Sequence, residues 1–211
     1  MMMNGYSQPP DYRFSHDSVE LAQRASEFLR EAPTDQVGPL CVLDLGAGSG
    51  VVGLEIARFA RRPVRIDFLE VQPEYGPHFE QNLKWIQGLA PGLTGTWREM
   101  NYENLLVPEE AQKYDLVVSN PPFFDRGQGN LPPSPFKARA RFFLDSSFER
   151  MCEAMAHVLR PRGQAYFLVR DLADHGLDRV ASLNRSLLPF GEWRAREPVR
   201  GTELIQFVKR P

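Results

Sequence analysis

Short apolar runs alternate with amphipathic segments along nearly the whole chain, and that order leaves few folds open. "LCVLDLG" from Leu40 reads as a strand, "GVVGLEIARFA" from Gly50 as a helix and "VRIDFLE" from Val64 as a strand again. "EYGPHFEQNLKWIQGL" has helical spacing with its start blurred by Gly76-Pro77, "LTGTWREM" is a weak strand, and "YDLVVSN" is a stronger one. "SSFERMCEAMAHVLR" is amphipathic, "GQAYFLVR" alternates as a strand does, and "GEWRAREP" and "TELIQFVKR" predict two antiparallel strands closing the sheet. Strand and helix patterns in alternation predict an α/β fold, a mostly parallel, doubly wound sheet covered on both faces.

Ahead of this array, Val19, Leu21, Ala22, Ala25, Phe28 and Leu29 fall near helical spacing, so a helix is expected from His16 to Arg30, ending before Pro33. His16-Asp17-Ser18 is read as the N-cap of that helix. The 211 residues suit one domain with a short N-terminal helical extension over about 1–35. Residues 121–144, rich in Pro, Gly and Arg, have no clear period and are expected to form one long loop.

A formal net charge of -2 argues against coating nucleic acid through bulk charge, so any such role must rest on a local site. "MMMNGYSQPPDYRF" lacks the apolar core of a signal peptide, and no run approaches the roughly 20 apolar residues of a membrane span. A cytoplasmic protein is expected, as a monomer or weak dimer. Cys41 and Cys152 stand in apolar surroundings with no CxxC spacing, which predicts buried thiols and neither a metal site nor a disulfide.

"VLDLGAGSG" places Gly46, Gly48 and Gly50 between the first strand and its helix. Glycines there let the backbone turn sharply and approach a ligand closely, while the helix N-terminus offers free N–H groups. Glu70 closes the second strand, where a carboxylate can accept from both hydroxyls of a ribose. Together these residues describe a nucleoside-binding strand edge.

The GxGxG spacing, with Asp44 inside "LDLGAGSG", resembles the first motif of the class I S-adenosylmethionine-dependent methyltransferases. The resemblance implies a Rossmann-like seven-stranded fold and S-adenosyl-L-methionine as cofactor. It places Gly46 and Gly48 against the methionine part, with Gly50 also cofactor-binding, Asp44 near the amino group through neighbouring atoms or water, and Glu70 on the ribose. Asn101, with Tyr102 beside it, stands where an acidic residue of that family often meets the adenine amino group.

"VVSNPPFFDRG" ends the fourth strand, because neither Pro121 nor Pro122 can donate a ladder hydrogen bond and each restricts the residue before it. Two phenylalanines follow a rigid strand end, where burial is least assured. Ligands of doubly wound sheets bind outside the carboxyl ends of the strands. Methylating an exocyclic amine there requires acceptors for its N–H groups and a flat surface for its ring. Asn120 offers a side-chain carbonyl and Pro121 a backbone carbonyl. Phe123 or Phe124 offers a stacking face worth roughly 1–3 kcal/mol per base, and the resemblance to methyltransferases with an Asn-Pro-Pro-aromatic motif points to Phe123.

"SNPPFF" resembles the amino-methyltransferases that modify adenine N6, cytosine N4, guanine N2 or the amide of glutamine. "YRFSHDSVELAQ" and "NPPFFDRGQGNLPPSPFKARARFF" resemble the bacterial family that methylates adenine N6 beside the anticodon of valine tRNA. That family commonly has an aromatic pair after Asn-Pro-Pro, a Gly a few residues on, and Ala-Arg before the next helix, matched here by Phe123-Phe124, Gly127 and Ala138-Arg139 or Ala140-Arg141. It usually continues Ala-Arg with His, whereas this chain has Ala140 and Phe142 at those places. Arg126, Lys137, Arg139 and Arg141 form a basic strip suited to phosphate contacts that place a nucleotide for extrusion. The expected activity is methyl transfer to adenine N6 of tRNA. Guanine N2 of ribosomal RNA, glutamine of a translation factor, and a non-catalytic cofactor-binding module stay open as alternatives.

Overall fold

A computed structural model of the chain describes residues 5–10, 14–31, 38–170 and 178–211, with the backbone alone for 28–31. Seven strands hydrogen-bond into one sheet: β1 (Leu40–Leu45), β2 (Val64–Glu70), β3 (Leu93–Glu99), β4 (Tyr114–Ser119), β7 (Leu159–Val169), β8 (Gly191–Val199) and β9 (Thr202–Lys209). Their order is β3-β2-β1-β4-β7-β9-β8, and β5 (Phe124–Asp125) pairs with β6 (Phe142–Phe143) apart from it. The helices are α1 (His16–Glu31), α2 (Val51–Phe59), α3 (Gly76–Leu89), α4 (Pro135–Arg141), α5 (Phe148–Val158) and α6 (Arg179–Leu187). This is the α/β sheet with an antiparallel C-terminal pair that the alternation predicts.

The described residues up to Met100, with Val118–Asn120, make one compact unit. All six β1 residues are buried, as an internal strand of a parallel sheet requires, and β1 pairs parallel with β2 from Leu40↔Val64 to Leu45↔Leu69. β3 pairs parallel with β2, its last residue Glu99 beside Glu70. Phe68, Phe79 and Trp97 pack in sequence, at 4.6 and 5.0 Å between ring centroids. Gly53 lets α2 lie against this cluster, since a Cβ there would meet the Phe68 ring at 2.6 Å. Gly76-Pro77 marks a helix start: a short 3-10 turn, Pro73–Tyr75, runs straight into α3, whose first turn accepts a proline because its N–H groups lack intrahelical partners.

Asn101–Val117 with the described residues from Pro121 onward make the second unit. β7 pairs antiparallel with β9, and β9 antiparallel with β8. α5 buries Phe148, Met151, Cys152, Met155 and Val158 along one stripe. Cys152 and Cys41 are buried as expected, and burial pushes the Cys152 thiol pKa up.

Two segments differ from the sequence reading. Residues 121–144 carry local structure: β5 and β6 pair in parallel, and α4 begins at Pro135 with Ser134 as its cap, the hydroxyl accepting from the Lys137 N–H at 3.4 Å. Their period is invisible because each element is shorter than two helical turns or three strand residues. α6 was not anticipated at all. Its buried face holds Arg179, Ser182 and Ser186 beside Leu183 and Leu187, so an apolar stripe never forms. Asp178 caps it, its Oδ1 accepting from the Ala181 N–H at 2.8 Å.

Candidate active site

In the first unit the chain leaves β1 through three glycines in the left-handed region, with φ of 71° at Gly46, 52° at Gly48 and 84° at Gly50. The N–H groups of Gly46 and Ala47 donate to the Leu69 carbonyl at 2.9 and 3.0 Å, which locks the turn to the end of β2. Glu70 completes the lock. Its Oε2 accepts from the Gly48 N–H, and its Oε1 from the N–H groups of Val71 and Gln72, each at 2.9 Å. The carboxylate predicted for a ribose therefore also organises the backbone around it.

Asp44 is buried, and its Oδ2 accepts from the Gly53 N–H in the first turn of α2 at 2.7 Å. Its Oδ1 is buried with no hydrogen-bond partner among the described residues. Burial pushes the Asp44 pKa up to about 7, opposed by the Gly53 hydrogen bond and reinforced by the Glu70 charge.

Asn120 follows β4, whose Ser119 hydroxyl donates to the Leu45 carbonyl at 2.6 Å. The Asn120 Nδ2 donates to the Ser18 hydroxyl at 3.1 Å. This corrects the reading of His16-Asp17-Ser18 as an N-cap: α1 already starts at His16, so Ser18 lies in its first turn and meets Asn120. Sequence reasoning also missed Asn82. Its Nδ2 donates to the carbonyls of Ser49 and Ser7, both at 2.9 Å, and its Oδ1 accepts from the Ser7 N–H at 2.7 Å. One amide thus ties the glycine turn to the N-terminal segment, where Tyr6 donates to Glu55 at 2.6 Å. Partners 75 residues apart leave no local signal.

In the second unit Asn101 begins the 3-10 turn Tyr102–Leu105, its Oδ1 accepting from the Glu103 N–H at 2.9 Å and its Nδ2 donating to the Asp145 carbonyl at 3.0 Å. Tyr102 donates to the Ser147 carbonyl at 3.1 Å, and burial raises its phenol pKa. Pro121 is buried, and Phe123 and Phe124 are half-buried. The Phe123 N–H donates to the Arg141 carbonyl at 3.1 Å, and the Arg170 guanidinium lies 5.1 Å from its ring centroid. The Phe124 ring packs on Phe142 at 5.2 Å, with the Arg141 guanidinium at 5.7 Å. Phe142, the departure from the usual His after Ala-Arg, thus gives Phe124 its packing partner. In the basic strip, Arg126 donates to the Leu144 carbonyl at 2.6 Å and Arg139 pairs with Asp145 at 3.3 Å. The Lys137 N–H meets the Ser134 hydroxyl.

A seven-stranded sheet in this order, with a glycine turn after β1 and an acid closing β2, is the fold of the class I S-adenosylmethionine-dependent methyltransferases. The methyltransferase small domain model matches residues 13–174, and the chain belongs to that family. It is 31% identical over 160 residues to the tRNA1(Val) (adenine(37)-N6)-methyltransferase of Aeromonas hydrophila, covering 75% of this chain and 63% of that one. The enzyme of that name from Aeromonas salmonicida is 32% identical over 157 residues, covering 69% and 63%. The chain therefore spans just under two thirds of the length of these curated relatives. Among solved structures, the T. thermophilus 16S rRNA N2 G1207 methyltransferase in complex with AdoMet and guanosine superposes with a TM-score of 0.60 at 22% identity, over 95% of this chain and 45% of that one.

Proposed function

We propose that this chain is an S-adenosylmethionine-dependent methyltransferase that methylates an exocyclic amine, adenine N6 of tRNA. The observation that carries the reading is Asn120-Pro121-Pro122-Phe123 directly after β4, in a fold whose β1 and β2 ends carry the glycine turn and Glu70. The two Aeromonas relatives support the choice of adenine and tRNA by their names. The residues present fit the cofactor. Asp44 keeps one buried carboxylate oxygen without a partner among the described residues, and a Cβ on Gly46 would meet no atom within 4 Å, so the turn has open space beside it. Asp44, Gly46, Gly48, Gly50 and Glu70 would hold it, with Asn101 and Tyr102 assigned to its adenine.

When bound, the cofactor supplies an electrophilic methyl group on a sulfonium. The protein's part is to hold the acceptor amine in line. With Nδ2 of Asn120 committed to Ser18, the amide presents Oδ1 as an acceptor for an amine N–H, and the Pro121 carbonyl provides a second. Phe123, three residues beyond Asn120 along the chain, is assigned to stack the base. Orientation supplies much of the rate, so no strong base is needed, and the proton leaves the nitrogen after attack. Phe124, Arg126, Lys137, Arg139 and Arg141 are assigned to the RNA side, in a single cytoplasmic domain acting as monomer or weak dimer.

Nucleoside mass spectrometry of tRNA and ribosomal RNA from cells with and without the gene tests the reading. Loss of N6-methyladenosine from tRNA is expected. A fall in N2-methylguanosine alone would instead favour guanine in ribosomal RNA, the reading supported by the superposed T. thermophilus enzyme. No change in either would move the substrate to protein.

A further inference from the structure

Arg179 opens α6 and is only 4% exposed, yet nothing in the proposed chemistry uses it. Its guanidinium donates from Nη1 to Asp125 Oδ2 at 3.2 Å and from Nη2 to Asp125 Oδ1 at 3.1 Å. Nη2 also donates to the Phe123 carbonyl at 3.3 Å. The same group lies 4.4 Å from the ring centroid of Phe148 and 5.6 Å from that of Phe143. A buried cation is tolerated only where its donors are matched, and a planar fork packed against two rings has little freedom to turn. Here the fork points at the segment following Asn-Pro-Pro.

The consequence falls on Phe123. Its N–H is held by Arg141 and its carbonyl by Arg179, so both of its backbone hydrogen-bonding groups are fixed. The carboxylate of Asp125, two residues on, is gripped by the same guanidinium. Charge-assisted and forked hydrogen bonds hold geometry better than neutral single ones. A residue whose task is only to pack needs no such clamp; Phe124, beside it, is placed by ring contact with Phe142.

We propose that Arg179 is a positioning residue for the acceptor base: by clamping Asp125 and the Phe123 carbonyl, it sets the angle at which the Phe123 ring meets that base. The inference rests on the function proposed above for Phe123. Arg179 touches no substrate and acts through the backbone it holds.

The test compares Arg179→Lys, Arg179→Met and Asp125→Asn, each in wild-type and Phe123→Ala backgrounds. Transfer to RNA is followed with S-adenosylmethionine, cofactor affinity by calorimetry, and the Phe123 ring by the signal of a fluorine-labelled phenylalanine at that position. With wild-type Phe123, kcat/KM for RNA should fall on the order of 10- to 100-fold, as small misplacements near a reacting group do. Cofactor affinity should stay within about twofold, and the fluorine signal should shift or broaden. Arg179→Lys should not rescue, because one ammonium cannot reproduce the fork. With Phe123→Ala the same substitutions should cause little further loss. An equal fall in both backgrounds, or an unmoved fluorine signal, overturns the proposal and leaves Arg179 a stabilising residue. If Arg179→Met does not fold, Asp125→Asn carries the test, with a smaller shift of the same kind. Wild-type protein that methylates no RNA overturns the proposed function instead, and the fluorine signal then decides the positioning role by itself.

Discussion

The turn after β1 and the segment after β4 both carry the chain away from a strand end, and they are held by opposite chemistry. In the turn, backbone N–H groups donate to carboxylates: Gly48 to Glu70, 22 residues on, and Gly53 to Asp44, nine residues back. In the segment, arginines donate to carbonyls and a carboxylate: Arg126 to Leu144, 18 residues away, and Arg179 to Asp125, 54 residues away. A turn whose donors are backbone N–H groups has little freedom to vary, since its glycines hold positive φ and those N–H groups need acceptors. A segment held by side chains from a distant helix can be re-aimed by changing those side chains. On the function proposed above, the difference assigns rigidity to the cofactor edge and adjustability to the acceptor edge.

The largest expected effect tests that division directly. Asn120→Ala should lower methyl transfer by about 100-fold or more, the scale seen when one oriented hydrogen-bonding group is removed from a reacting centre. Calorimetry should find its cofactor affinity nearly unchanged. Glu70→Ala should do the reverse first. It leaves the N–H groups of Gly48, Val71 and Gln72 without their acceptor, at about 1–3 kcal/mol for each group that stays buried. Cofactor binding and thermal stability should fall together, and Glu70→Gln, which keeps one acceptor oxygen, should be milder. If both alanine variants lost affinity and transfer in equal measure, the two edges would not be separable and the comparison would fail.

The same difference decides what could be read from sequence. β1, its glycine turn and Glu70 are legible because strand, turn and acid lie within about one βαβ unit and each residue type has a local reason for its place. Asn120-Pro121-Pro122 is legible because prolines end strands. The rest of the acceptor edge is not. Asp125 carries no sign that a guanidinium 54 residues later will grip it, and α6 hides its buried face behind Arg179, Ser182 and Ser186. Asn101 shows the limit at one residue. Its amide caps a 3-10 turn and reaches the Asp145 carbonyl, roles that sequence spacing does not separate from ligand binding.

A third prediction sharpens the picture of the cofactor edge through pH. Asp44 has its pKa raised to about 7 in the folded chain, by burial first, against an ordinary value of about 4 when unfolded. Between those values the folded state binds more protons than the unfolded one, so the contribution of this group is full below about pH 4 and is lost as pH rises through about 7. Thermal melts should therefore show wild type losing stability between about pH 4 and 7 relative to Asp44→Asn, which keeps an acceptor for the Gly53 N–H but does not titrate. Parallel pH profiles of the two proteins would mean that the carboxyl group titrates normally and that its buried oxygen finds a partner.

The smallest expected effect bears on the acceptor edge. Arg139 pairs with Asp145 at 3.3 Å, with side chains 44% and 29% exposed, so Arg139→Ala should change stability by no more than about 0.5 kcal/mol. Stability is thus a poor probe of this residue, and salt is a better one. If the basic strip contacts phosphate, the variant should bind RNA more weakly at low salt, and the slope of log affinity against log salt should shrink by about one. An unchanged slope would confine Arg139 to bracing the segment through Asp145, the carboxylate whose backbone carbonyl also receives Asn101. Arg126 would then be the next residue to test, because its hydrogen bond to the Leu144 carbonyl leaves its charge without a carboxylate in that contact, and such a charge remains open to a phosphate.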